Sequence, residues 1–290
     1  MSISAEVADD LGPLPGLGGT TMQVLVDGAR TDGKLAISRL RMPAGATVPL
    51  HAHAGQDIIL LLLRGSMAVQ LMGQGYELDE GSVAVLPRGL AHAYHVTVET
   101  DLLLLSTPSG PEDSACDAAV RVAPQPERRP VATALPGLAP YIARADEHEV
   151  LEWLDGGLVR ILLDAGRTGG RLSLGRSTFR AGSTSPIYVH GKEDEVVVMM
   201  RGSAIYWVGE RRYDVSAGDV VVIPRGVSTA HRMTTDAEIL VATSPGGLEE
   251  LFRAACRDAR LPRPENWQVS FDALRRAAEA AGQTLIAAPA

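Results

Sequence analysis

One string occurs twice in this chain and restricts its fold more than any other feature. Residues 61–66 read LLLRGS and residues 198–203 read VMMRGS, which places Gly65 and Gly202 at an offset of 202 − 65 = 137. The same offset relates Gly45 to Gly182, His53 to His190, Gly81 to Gly218, Pro87-Arg88-Gly89 to Pro224-Arg225-Gly226, and Pro108 to Pro245. No gap interrupts the match. Repeated anchors at one constant spacing are the mark of a duplicated structural unit, so the chain is a tandem of two like domains.

Each copy reads as β structure. "KLAISRLRMPAG" and "RLSLGRSTFRAG" alternate apolar and polar residues as half-buried strands do. "SVAVLPRG" and "DVVVIPRG" are short β-branched runs closed by Pro-Gly turn chemistry. Short strands at close spacing favour a sandwich or barrel in each half. We place the domains at 20–112 and 147–248, joined by a Pro-rich linker over 113–146. Beyond the second copy the period lengthens. "GLEELFRAACRDA" and "SFDALRRAAEAAG" suit amphipathic helices over 249–283 that pack on a barrel, with Ser270 as N-cap and Gly282 as stop.

Of the 290 residues 46% are hydrophobic, enough for real cores, and the formal net charge of −8 disfavours nucleic acid and anionic membrane surfaces as partners. Two cysteines, Cys116 and Cys256, form no framework, and the N-terminus lacks the basic and apolar regions of a signal peptide. A cytoplasmic protein is expected.

The repeated frame resembles the cupin superfamily. Gly45, His51, His53 and Gly65 fit its first motif, and Gly81, Pro87, Gly89 and His92 fit its second. Gly182, His190, Glu195, Gly202, Gly218, Pro224 and Gly226 repeat the frame. The resemblance implies an all-β bicupin: two tandem double-stranded β-helix (jelly-roll) barrels with C-terminal helices. The second half, through "EDEVVVMMRGSAIYWVGE" and "SPGGLEELFR", resembles the quercetin 2,3-dioxygenase-like branch. That branch implies a divalent metal and a small oxygen-rich or aromatic substrate. Barrels of this family often pair through their edges, so a homodimer is the default.

His51 and His53 are two apart on a strand and project to one face. His92 follows a Pro-Arg-Gly turn and approaches from a neighbouring strand. Three neutral imidazoles suit one Fe, Ni, Co, Cu or Zn ion in the N-terminal barrel. The usual glutamate is replaced by Ile58, whereas the second copy has Tyr188, His190, Glu195 and Thr229 at the corresponding positions. We assign Ile58, Tyr94, Tyr188, His190 and Glu195 to substrate contact. The second-copy residues form either a polar pocket or a relic of duplication. His231, at the position of Tyr94, could join a metal set only if its loop shifts. His95 is expected at the rim, His148 in solvent, and Asp57 and Asp194 as solvent-facing acids. No catalytic residue is assigned. The expected activity is a metal-dependent, dioxygenase-like oxidoreductase. A non-redox cyclase or isomerase and a non-catalytic binding protein are the alternatives.

Overall fold

The computed structural model describes residues 5–6, 10–13, 19–109, 120–121, 138–153, 156–265, 267 and 269–287. They form two compact units, one built on residues 8–147, the other on residues 148–290 together with the strand Ala5–Glu6. Most of the expected linker lies outside the described residues. Its end does not behave as a linker: Tyr141–Ala143 is a strand that pairs with Val83–Val85. Among the described residues no helix is long and apolar enough to cross a membrane.

Both units are all-β jelly-roll barrels. In the first, the long strands Asp57–Leu71 and His92–Thr107 pair antiparallel along nearly their whole length. The even-numbered residues Ile58, Leu60 and Leu62 enter the barrel core, where they meet Val69, Tyr94 and Leu102. The register of the pair shifts at Gly65. A Cβ there would lie 2.2 Å from the Glu99 carbonyl oxygen, and φ is +90°. Only glycine lets the two backbones pass so closely. Gly202 repeats the situation against the Asp236 carbonyl at 2.3 Å. The string that reveals the duplication is therefore the point where each barrel bends.

The second unit copies the first in register. Ile58 pairs with Leu86 and Ser106, and Glu195 pairs with Ile223 and Thr243, so each partner is displaced by 137. His51 pairs with His92, as Tyr188 pairs with Thr229. The correspondence reaches a leading strand in each copy: Ala5 pairs with Val221, and Ile142 with Ala84. Each leading strand thus belongs to the unit formed by the other copy.

The helices α1 (Leu248–Ala255) and α2 (Phe271–Ala280) pack into the second core through Leu248, Leu251, Leu274 and Ala278. Ser270 caps α2, its hydroxyl accepting a hydrogen bond from the Ala273 amide at 3.2 Å. Gly282 ends it with φ +83°. The strand Gln283–Ala287, which begins on the last residue of the expected helical segment, adds itself to Ile187–His190. Leu285 is buried there and its neighbours Thr284 and Ile286 are exposed, but with apolar Ile286 on the outer face the sequence shows no alternation that could have disclosed the strand.

Candidate metal centre and its counterpart

In the first barrel the strand Thr47–Ala52 carries His51 and the turn after it carries His53, while His92 opens the strand His92–Thr107. One ring nitrogen from each of the three lies within 4.8 Å of the others. The His51 and His92 ring centroids are 4.3 Å apart, as expected of direct cross-strand neighbours. Each of these two rings points Nδ1 at a backbone carbonyl two residues earlier, His51 at Pro49 and His92 at Leu90, both at 2.8 Å. A carbonyl only accepts, so Nδ1 carries the proton and Nε2 keeps its lone pair.

Buried Nε2 of His92 and Nδ1 of His53 have no hydrogen-bond partner. Burial, then the neighbouring His51, lowers the pKa of His53 to about 4 and that of His92 to about 3. Burial lowers His51 as well, against the pull of the Pro49 carbonyl. All three rings are neutral at pH 7. Unpaired buried nitrogens are costly, and neutral rings with converging lone pairs are what a divalent ion requires. These residues fit a metal.

A feature missed in the sequence holds the centre together. Asp57 is buried, not solvent-facing, and accepts hydrogen bonds from the backbone amide of Arg88 at 2.9 Å and from its guanidinium at 3.1 and 2.8 Å. This bidentate pair anchors the Pro87-Arg88-Gly89 turn just ahead of His92. The Gly89 amide also donates to the His53 carbonyl at 2.7 Å. Asp194 and Arg225 repeat the arrangement at 2.9, 3.1 and 2.9 Å. The repeat of Arg within the Pro-Arg-Gly turn, opposite a repeated Asp, was the available signal. His148 is likewise buried rather than solvated. His95 is exposed, because alternation along its strand turns it away from His92 and Tyr94.

Ile58 is buried in the first core, and Tyr94 lies close to two of the histidines, 5.3 Å from His92 and 5.8 Å from His51 between ring centroids. In the second barrel the equivalent positions make an ion-paired cluster. Tyr188 donates to Glu195 at 3.0 Å. Nε2 of His190 is 3.2 Å from Glu195, and its Nδ1 is 3.1 Å from Glu193. Burial would lower the His190 pKa, but the charge of Glu195 and the hydrogen bonds to both carboxylates hold it at about 9. Burial acts to raise the Glu195 pKa, and the charge of His190 outweighs it, leaving the carboxyl below its ordinary value. The imidazolium thus spends both N–H groups on carboxylates. His231 packs 5.2 Å from the Tyr206 ring. Among the described residues, the only group arranged to hold a metal is the histidine triad of the first barrel.

Comparison with known proteins agrees with this architecture. A cupin domain model matches residues 38–108 and again 175–243. Quercetin 2,3-dioxygenase of Bacillus subtilis (strain 168) is 23% identical, in a match that covers 79% of each protein. Among solved structures, a variant of oxalate decarboxylase from Bacillus subtilis superimposes with a TM-score of 0.66 at 17% identity, covering 85% of this chain and 78% of that one. The oxalate decarboxylase–formate complex of Lactobacillus farciminis gives 0.64 at 15%, covering 85% and 88%. At such identities the structural likeness carries the fold alone.

Proposed function

This chain is a bicupin, a member of the cupin superfamily with two cupin domains, and from that premise we propose that it is a metal-dependent enzyme, dioxygenase-like, acting on a small oxygenated or aromatic metabolite at the first barrel. The observation that carries the reading is the convergence of three neutral imidazoles within 4.8 Å, with buried nitrogens that nothing else satisfies. His51, His53 and His92 would hold the ion. When bound, it supplies Lewis acidity and, if redox-active, a route for electrons. Carbonyl acceptors orient His51 and His92, and the Asp57–Arg88 pair holds the turn that delivers His92.

Ile58 defines what the substrate can be. Three uncharged ligands leave the ion its full positive charge, which favours an anionic, chelating substrate. No carboxylate occupies this position to take a proton from that substrate, so it must arrive already ionised or lose its proton to water. The same feature favours one second reading, in which the ion acts purely as a Lewis acid in an isomerisation or cyclisation.

The test is elemental analysis of the purified protein with oxygen uptake on aromatic diols and 2-oxo acids. About one iron, nickel, cobalt or copper ion per chain with uptake supports the first reading, and zinc without uptake supports the second. His92→Ala should lower metal affinity by at least about tenfold to a hundredfold. Wild-type protein that binds no divalent ion overturns both.

A further inference from the structure

The second barrel contains a cavity of about 80 Å³ at the place that the histidine triad occupies in the first. Tyr188, His190, Glu195 and His231 line it, and they stand at the positions of His51, His53, Ile58 and Tyr94. Its other walls are mostly apolar, among them Phe179 and Ile239 of the barrel, Leu251 of α1 and Leu274 of α2. Two further lining groups, the Tyr206 hydroxyl and the Gln283 side-chain nitrogen, are buried with no hydrogen-bond partner, in residues 0% and 3% exposed. Unpaired buried polar groups are costly, so both point to an occupant that completes them.

Charge and hydrogen bonding restrict that occupant. Burial, then the charge of Glu195, pushes the Tyr206 pKa well above its ordinary value, so the hydroxyl keeps its proton. The Gln283 nitrogen only donates. Two donors that lack acceptors exclude an ammonium ion, which brings only more donors. Among the described residues no lysine or arginine lines the cavity. The charges of His190 and Glu195 oppose one another at 3.2 Å, and Glu193, on the other ring nitrogen of His190, does not line it. An anion would be held against the Glu195 carboxylate with only His231 left to offset it, where burial makes uncompensated charge costly. A carbonyl oxygen has two lone pairs, one for each donor, and brings no proton that needs a partner of its own. Size sets the rest. An apolar cavity of about 150 Å³ holds the six carbons of benzene, so roughly half that volume holds about three heavy atoms. A ligand of about three heavy atoms binds no more tightly than about 0.5 mM.

We infer that the second barrel is a metal-free binding site for a neutral carbonyl compound of about three heavy atoms, of the small-aldehyde class, whose oxygen accepts from Tyr206 and Gln283. The site is independent of the first-barrel ion. One position of a duplicated frame thus serves an ion in one barrel and a small uncharged molecule in the other.

The test is a ligand-observed NMR titration of the metal-stripped full chain with three probes of equal heavy-atom count, acetaldehyde, chloroethane and formate. Acetaldehyde should saturate one site per chain at millimolar concentration. Chloroethane, which lacks the oxygen acceptor, and formate, which is charged, should each bind at least about tenfold more weakly. Tyr206→Phe should weaken acetaldehyde about fivefold to tenfold and raise the infrared carbonyl stretch of the bound probe, because one hydrogen bond to its oxygen is gone. The melting temperature should stay unchanged or rise, since an unpaired buried hydroxyl has been deleted. A merely structural tyrosine would lower the melting temperature and leave the stretch unmoved. Should that variant fail to fold, Gln283→Leu carries the same expectation. The inference is overturned if acetaldehyde does not saturate, which would leave water as the occupant, if chloroethane or formate binds as tightly, or if both variants bind acetaldehyde like wild type. Loss of acetaldehyde binding in His92→Ala would also overturn it, by placing the site in the first barrel.

Discussion

His53 and His190 occupy one position of a scaffold built twice, and their chemistry is opposite. His53 is neutral, with a pKa near 4 and a buried Nδ1 that has no partner. His190 is charged, with a pKa near 9 and both ring nitrogens against carboxylates. The ladders around them keep one register, Ile58 to Leu61 pairing as Glu195 to Val198 does and His51 as Tyr188 does. The difference comes from Gln56 and Ile58, which stand where the second copy has Glu193 and Glu195. Imidazoles with no carboxylate beside them are left free to ligate; two carboxylates against His190 turn it into an internal counter-ion. The comparison teaches that the frame sets where side chains meet, and a pair of substitutions sets whether they take a metal or each other.

The most disruptive way to break the comparison is to remove one member of the buried pair. Glu195→Ala leaves His190 without its main partner and should cost about 3–5 kcal/mol in denaturant unfolding. Transplanting the first-barrel residues, Glu193→Gln with Glu195→Ile, should cost less than that single truncation, because apolar replacement of a whole buried ion pair is often close to neutral. If the transplant costs more, the two barrels differ in backbone as well as in charge.

The pH dependence of stability should belong to the second barrel. His190 has a folded pKa near 9, above its ordinary 6.5. Its contribution is therefore complete below about 6.5 and is lost as pH rises through about 9, a change on the order of 3 kcal/mol at most. Glu195, whose pKa is lowered, adds the opposite limb, lost as pH falls through its folded value. Melting temperatures between pH 6 and 10 should decline in wild type and flatten in the Glu193→Gln, Glu195→Ile transplant. An unchanged slope would place the titrating group elsewhere.

The reverse exchange sharpens the contrast with a smaller effect. Ile58→Glu buries a carboxylate beside neutral imidazoles and should destabilise the metal-free protein by about 2 kcal/mol. A divalent ion should recover that loss, which thermal melts with and without metal would show. Equal destabilisation in both states would mean that residue 58 does not reach the site.

The smallest effects test the feature that both barrels share. Arg88→Lys and Arg225→Lys each replace a bidentate fork by a point charge and should cost about 1 kcal/mol. Only Arg88→Lys should also weaken metal binding, because only its turn leads to a ligand. Equal metal content in both variants would show that the Asp57–Arg88 pair serves folding alone.

Much of this was legible without coordinates. The constant offset disclosed two like barrels, because a duplicated unit must keep its glycines wherever backbones cross, as at Gly65 and Gly202. The histidine triad was legible because His51 and His53 stand two apart within the repeated frame and His92 follows a repeated turn, although His53 lies in the turn past the strand Thr47–Ala52 and not on its face. Asp57, Asp194 and His148 were misread as exposed. Local pattern carries polarity but not partner, and an aspartate is buried only when an arginine far along the chain arrives to meet it, as Arg88 does from 31 positions away. Tyr206 and Gln283 drew no attention as site residues, one inside an ordinary strand and the other at the last position of the expected helical segment.

The sequence by itself determined the repeat, the barrel class, the triad and the loss of the carboxylate at Ile58, since each rests on residue type at a fixed spacing. Only the tertiary structure decided the charge of the histidines. A pKa depends on desolvation and on charges within a few ångströms, and those neighbours come from separate strands. Tertiary structure also decided that the second barrel encloses a cavity, because Leu251, Leu274 and Gln283 reach it from elements that follow the barrel in the chain. Closure of that kind leaves no periodicity to read; it arises when the apolar faces of α1 and α2 leave water by packing into the core of the second barrel.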